Sequence, residues 1–291
     1  MKSLAILLII CLPSIVFGQV ISTAHYKIYN TSTQKTATIT EIIDNSSQAD
    51  VLFFGEEHND STGHNLEYAL FKGLTEKYAG RTALSMEMFQ TDCQLVLNEY
   101  LSDAIREKNM ISDARAWPNY TDYRPMVELA KLNHLPVIAA NAPSRYTNMV
   151  TRNGLASLQQ LTAQAKSYLA PLPIDTATGA YYDKFVKIMG GHEAMAGMQI
   201  YQSQNLWDAT MAWSIAKFLK DHPQFKILQL NGGFHSEEKL GAVAQLKKYA
   251  PKARVLTIAS YADDNFENPD WNKFRQMADY IILTDTKTED Q

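Results

Sequence analysis

Six short apolar runs punctuate this chain, at Val51 to Phe54, Thr82 to Met86, Pro136 to Ala140, Lys226 to Leu230, Arg254 to Ala259 and Tyr280 to Leu283, each bounded by turn or cap residues. Runs this short and this apolar read as strands buried on both faces. Between most of them the periodicity turns helical. Leu66, Ala69, Leu70 and Leu74 precede the second run, Val127, Leu129, Ala130 and Leu132 the third, and Leu240, Val243, Ala244 and Leu246 the fifth. Parallel neighbours need a long crossover, usually a helix. The alternation therefore predicts an α/β fold, a mainly parallel sheet covered by helices on both faces. Ahead of it, Tyr26 to Tyr29 and Thr36 to Thr40 alternate with polar residues and predict a hairpin with Asn30 to Gln34 as its turn.

The alternation lapses between Ala142 and Pro223, where the breakers Pro171, Pro173, Gly190 and Gly191 stand among many Tyr, Met and Trp residues. We read residues 142–223 as a helical insertion within a single α/β domain spanning 19–291, because no repeat, low-complexity tract or linker divides the chain. At 46% apolar and 20% charged, its 291 residues can bury a large core. Residues 1–18 are read apart from that domain. Lys2, the run Leu4 to Leu12 and the Val16-Phe17-Gly18 sequence have the pattern of a secretory signal, which would make Gln19 the first mature residue. This predicts an exported protein, periplasmic, envelope-associated or secreted. Ile10 stands where a lipobox before Cys11 needs a small residue, and the mature chain holds no apolar run long enough to span a membrane.

Charge and cysteine content exclude several chemistries. The formal charge of −4 gives the chain no global pull on nucleic acid or anionic lipid. Of the two cysteines, Cys11 lies in the signal segment, which leaves Cys93. A single thiol forms no internal disulfide, four-cysteine metal site or c-type haem linkage. Beside Gln94, Leu95 and Val96 it reads as a small core residue.

In an open α/β sheet, ligands bind beyond the carboxyl ends of the strands. Here the first run is followed by Gly55-Glu56-Glu57-His58, the second by Glu87, the third by Asn141 and the fourth by Asn231-Gly232-Gly233-Phe234-His235. One such carboxylate would do no more than cap the following helix. Four strand ends delivering His, carboxylate and amide groups to one rim suggest a shared site, with Gly55, Gly232 and Gly233 allowing tight turns. His58, Glu87 and His235 could hold a divalent metal, or a carboxylate could activate water. Dinucleotide, P-loop, zincin and serine-esterase motifs are absent from the sequence.

The two Gly-x-x-His motifs ending at His58 and His235, with Glu87 between them, resemble the superfamily of Tiki proteases, TraB proteins and erythromycin esterases. Within it the chain is most similar to the ChaN-like haem-binding uptake family. The resemblance extends through Trp117-Pro118-Asn119-Tyr120, Tyr123-Arg124-Pro125, Ala139 to Pro143 with Arg145-Tyr146, and Leu206 to Ala212. It implies a secreted or envelope protein that binds haem, often as a homodimer, in iron acquisition.

Haem requires an apolar surface, an axial ligand and cations for two propionates. Tyr181, Tyr182, Phe185, Met189, Met195, Met198, Tyr201, Trp207, Met211 and Trp213 are candidate walls. Tyr146 beside Arg145 is the first candidate for axial ligand, since a nearby guanidinium stabilises phenolate. Tyr120 and Tyr123 near Arg124 come second, and His192 after Gly190-Gly191 is independent of both. Arg124, Arg145 and Arg152 are candidate propionate partners. The sequence thus supports haem binding, which the resemblance favours. The alternative is a hydrolase, metal-dependent or with water activated by Glu and His, built on Glu56, Glu57, His58, Glu87 and His235.

Overall fold

The computed structural model describes residues 24–191 and 199–286. The expected signal segment, and His192, Met195 and Met198, lie outside the described residues. The first half of the chain runs β1 (Tyr26–Asn30), β2 (Lys35–Ala37), α1 (Ile39–Asn45), β3 (Val51–Glu56), α2 (Ser61–Lys77), β4 (Thr82–Gln90), α3 (Gln94–Leu101), α4 (Glu107–Asp113), α5 (Tyr120–Leu132) and β5 (Val137–Asn141). It continues through α6 (Ser144–Asn153), α7 (Ala163–Ser167), α8 (Ala180–Ile188), α9 (Ile200–Asp221), β6 (Lys226–Gly232), α10 (Gly241–Tyr249), β7 (Val255–Ala262), α11 (Trp271–Phe274) and β8 (Tyr280–Thr284). Among the described residues, α6 to α9 and the turns between them contain no strand.

All eight strands form one sheet in the order β2-β1-β8-β7-β3-β6-β4-β5. The strands from β8 to β5 pair in parallel, and β1 runs antiparallel to both its neighbours. The fold is therefore α/β with a mainly parallel sheet. Alternation along β3 shows how both faces are covered. Leu52 and Phe54 pack with Leu66, Leu70 and Leu74 of α2 and Met126, Val127 and Ala130 of α5. Val51 and Phe53 pack with Met211, Ala212 and Ile215 of α9 and Val243 and Leu246 of α10.

Two local departures from the sequence reading have clear causes. The expected second hairpin strand stops at Ala37, because the Thr38 side chain accepts the Glu41 amide and caps α1. β4 continues past Met86 to Gln90, with its register against β5 shifting between those residues. Pairing of β4 with β6 ends at Met86, so Glu87 occupies the irregular stretch, where a strand can redirect a side chain.

Candidate functional site

The register sets Glu56 of β3 beside Gly232 of β6 at the carboxyl ends of two central strands. From there the rim is built around Glu87. Its Oε2 accepts the Gly232 amide at 2.8 Å, and its Oε1 lies 3.5 Å from His235 Nε2. The other ring nitrogen of His235, Nδ1, lies 2.7 Å from Asp208 Oδ1 and 3.1 Å from Gln204 Nε2. Tyr181 donates its hydroxyl to the second Asp208 oxygen at 2.6 Å.

His58 also stands near Glu87, close enough for the glutamate charge to act on its ring. Its Nδ1 lies 2.6 Å from Glu56 Oε1, which also accepts the Tyr123 hydroxyl at 2.6 Å. A Cβ added to Gly232 would stand 2.8 Å from His58 Nε2 and 3.9 Å from Glu87 Oε2. Two carboxylate–imidazole pairs, Glu56–His58 and Asp208–His235, thus flank one glutamate. Asp208 and His235 are buried, whereas the His58 side chain is 41% exposed and forms the open end.

The electrostatics follow from burial against charge. Burial works to lower His235, but Glu87 and Asp208 outweigh it and push its pKa up to about 10. Burial works to raise Glu87, and His235 together with the Gly232 amide holds it below its usual value. For His58, the bond to Glu56 is the main cause of an upward shift.

Behind His58 lies a second cluster. His64 and Glu67, one helical turn apart on α2, face Glu56, and His64 Nδ1 lies 3.2 Å from Glu67 Oε2 and 3.5 Å from Glu56 Oε2. All three residues are buried. Burial raises Glu67 well above the ordinary carboxylate range, with the Glu56 charge adding to it. Burial also works to raise Glu56, yet bonds to Glu67, His58 and His64 leave it depressed. Those same two glutamates overcome burial at His64 and push it up to about 11.

A third locus surrounds Tyr146. The Arg145 guanidinium sits 4.4 Å from the centre of the Tyr146 ring, and it pairs with Asp92. Asp92 also receives Arg115 at 2.6 Å. The two arginine side chains are 49% and 45% exposed, and Tyr146 is half-buried.

These three loci take in most of the residues singled out by sequence and redistribute several. Glu56, His58, Glu87 and His235 converge, but Glu57 does not join them, since it is exposed and its Oε2 accepts the Ala262 amide at 3.2 Å. Among the described residues, Glu56, His64 and Glu67 bring three ligand atoms within 4.8 Å of one another, a grouping that His58, Glu87 and His235 do not form.

Tyr120 and Tyr123 belong to the core. Tyr123 is fully buried with its hydroxyl given to Glu56, and burial is the main cause of a pKa pushed far up, which suits a structural donor rather than a phenolate ligand. Burial likewise raises Tyr120, and Arg124 pairs with Glu107 on the surface. The candidate haem walls close on themselves. Tyr181, Phe185 and Tyr201 pack with Phe234, and Trp207, Met211 and Trp213 fill the core under α9. A tight turn does follow Gly232, at Gly233–His235, but none of Gly55, Gly232 and Gly233 adopts left-handed backbone, so glycine's conformational freedom is not what these positions require. They are needed for space.

The sequence reading missed His64, Glu67, Gln204 and Asp208 as site residues. Both pairs carry a usable signal, polar residues spaced i,i+3 or i,i+4 on helix faces that otherwise pack inward.

Comparison with known proteins gives the fold and the family. No curated protein matches the sequence. Among solved structures, the ChaN of Campylobacter jejuni, described by cofacial heme binding, superposes with a TM-score of 0.67 at 16% identity, covering 90% of this chain and 98% of that one. An erythromycin esterase in its open conformation superposes with a TM-score of 0.47 at 10% identity, covering 81% of this chain and 76% of that one. The family profile described as haem-binding uptake, Tiki superfamily, ChaN matches residues 42–246, a span that holds all three loci. On that match the chain belongs to the ChaN haem-binding uptake family of the Tiki superfamily.

Proposed function

We propose that this protein binds ferric haem on its surface at Tyr146 and serves haem uptake as an exported protein. The observation that carries the reading is the stack of Arg145 on Tyr146, anchored by Asp92, inside the segment that matches the family. The donor set fits the group. A tyrosine oxygen is a known ligand of haem iron. Arg115 and Arg145 offer forked donors suited to propionate carboxylates. Haem supplies the iron, and the chain's part is to orient it and neutralise its carboxylates. Because Tyr181, Phe185 and Tyr201 of the helical insertion are buried against one another, the residues that would hold the porphyrin are those at the surface around Tyr146, which would leave its outer face open. That is compatible with the cofacial binding named for the Campylobacter protein, and a second copy of the chain could cover the outer face. Export rests on the signal pattern of residues 1–18. The test is a hemin titration of the purified chain. A saturable Soret shift is expected, and its absence would overturn the reading.

A second reading, hydrolysis, rests on the two carboxylate–imidazole pairs that flank Glu87. On this reading His58, oriented by Glu56 and open to solvent, would act as the general base, with Glu87 held against the buried Asp208–His235 pair. Ester and peptide panels run on wild type and His58→Ala test it. Turnover lost on the order of 10²-fold or more in the variant supports it, and no wild-type turnover removes it.

A further inference from the structure

We propose that Glu56, His64 and Glu67 form a buried binding site for one divalent transition-metal cation of the class that takes mixed imidazole and carboxylate ligands. The geometry comes first. Metal–nitrogen and metal–oxygen bonds of about 2.1 Å in a tetrahedron place neighbouring ligand atoms about 3.4 Å apart. His64 Nδ1 stands 3.2 Å from Glu67 Oε2 and 3.5 Å from Glu56 Oε2.

The imidazole is held in the orientation a metal needs. His64 Nε2 donates to the His58 carbonyl oxygen at 3.2 Å, so Nδ1 is the nitrogen that faces the two carboxylates and that a cation would take in exchange for its proton. A second carbonyl donor–acceptor contact fixes that segment, as Asn119 donates to the same oxygen at 3.1 Å. Metal-bound histidines characteristically anchor their other nitrogen in this way.

The buried oxygens supply the independent observation. Glu56 Oε2 and Glu67 Oε1 are inaccessible to solvent and have no hydrogen-bond partner among the described residues. With Nε2 given to a carbonyl, Nδ1 is the one ring nitrogen of His64 that faces the carboxylates, and it leaves these two oxygens without a hydrogen bond. A buried polar group left unpaired is costly, and a divalent cation between two carboxylates removes the deficit and leaves the pocket neutral. The site is linked to the rim through Glu56, whose Oε2 faces the cation position while its Oε1 holds His58.

The experiment uses Co²⁺ as the probe, added alone to the full, chelator-treated chain. One Co²⁺ per chain with visible ligand-field bands is expected, weakened about 100-fold or more in Glu67→Gln and His64→Ala and retained when His58 and His235 are both changed to Ala. X-ray absorption on the wild-type complex gives an answer that does not depend on the variants folding, and one imidazole with oxygen donors is expected. Absence of stoichiometric uptake, two imidazoles in the coordination shell, or binding that follows His58 and His235 would each overturn the proposal.

Discussion

Glu56 Oε1 lies 2.6 Å from His58 Nδ1, joining a carboxylate buried at the end of a central strand to an imidazole that is 41% exposed. Tyr123 is the third member of the arrangement, and its hydroxyl donates to the same oxygen at 2.6 Å from within the core. Removing that donor leaves a buried charged acceptor short of a partner. Tyr123→Phe is therefore expected to cost about 1–3 kcal/mol, read as a shift of the urea midpoint with unchanged slope.

Tyr123 and Tyr146 separate the two sites by haem. If Tyr146 is the ligand, Tyr146→Phe changes the ligand-field bands of the hemin complex while leaving the urea midpoint near wild type. Tyr123→Phe should do the reverse. Arg145→Ala should weaken hemin binding about tenfold without moving the band positions, as expected for a propionate partner. Visible spectra and hemin titrations of the three variants check these outcomes together.

How much of this could be read beforehand depended on whether the signal was local. Short apolar runs announced every strand from β3 to β8, because burial on both faces leaves few residue choices. Position after a strand brought out Glu87 and both Gly-x-x-His motifs, because the carboxyl ends of parallel strands share one edge. Asp208 stands within one of the segments that carry the family resemblance, but nothing local marks it as a site residue. Its role depends on α9 lying against the end of β6, which no local pattern reports. Tyr123 was misjudged for the same reason, since its sequence neighbour Arg124 points to Glu107 while the phenol points inward to Glu56.

The patch at Asp92 makes stability depend on acidity. Burial works to raise Asp92, and the bonds to Arg145 and Arg115 outweigh it, leaving the carboxyl below its ordinary value in the folded chain. A folded pKa below the unfolded value of about 3.9 means that the stabilisation is present above about pH 4 and is lost as pH falls through the folded value. Both arginines are exposed, so the contribution is about 1–2 kcal/mol. Asp92→Asn should be less stable than wild type by that amount near neutral pH, and the gap should close in acid. Urea titrations at about pH 7 and about pH 3 measure it.

Cys93 is placed to be inert. It is 1% exposed, and burial first, then the Asp92 charge, pushes its thiol up to about 11. Because the thiolate is the reactive form, alkylation of the native chain should be at least about 100-fold slower than in denaturant. Rapid native labelling, followed by mass spectrometry, would contradict the placement.

The motif glycines give an ordered pair of outcomes. A Cβ at Gly55 would meet Ser236 Oγ at 2.8 Å and the Gly233 Cα at 3.0 Å, so backbone must move. At Gly232 the obstacle is His58 Nε2 at 2.8 Å, the end of a half-exposed side chain that can swing outward. Gly55→Ala should therefore be the more destabilising, at about 2–3 kcal/mol against about 1 kcal/mol or less for Gly232→Ala. The cost of Gly232→Ala should fall on His58 instead. Its ring leaves the neighbourhood of Glu87, and its imidazole chemical shifts change while those of His235 stay near wild type. Histidine NMR spectra beside urea titrations of the two variants read both halves, and equal destabilisation with an unmoved His58 would show that the glycines are not spacers.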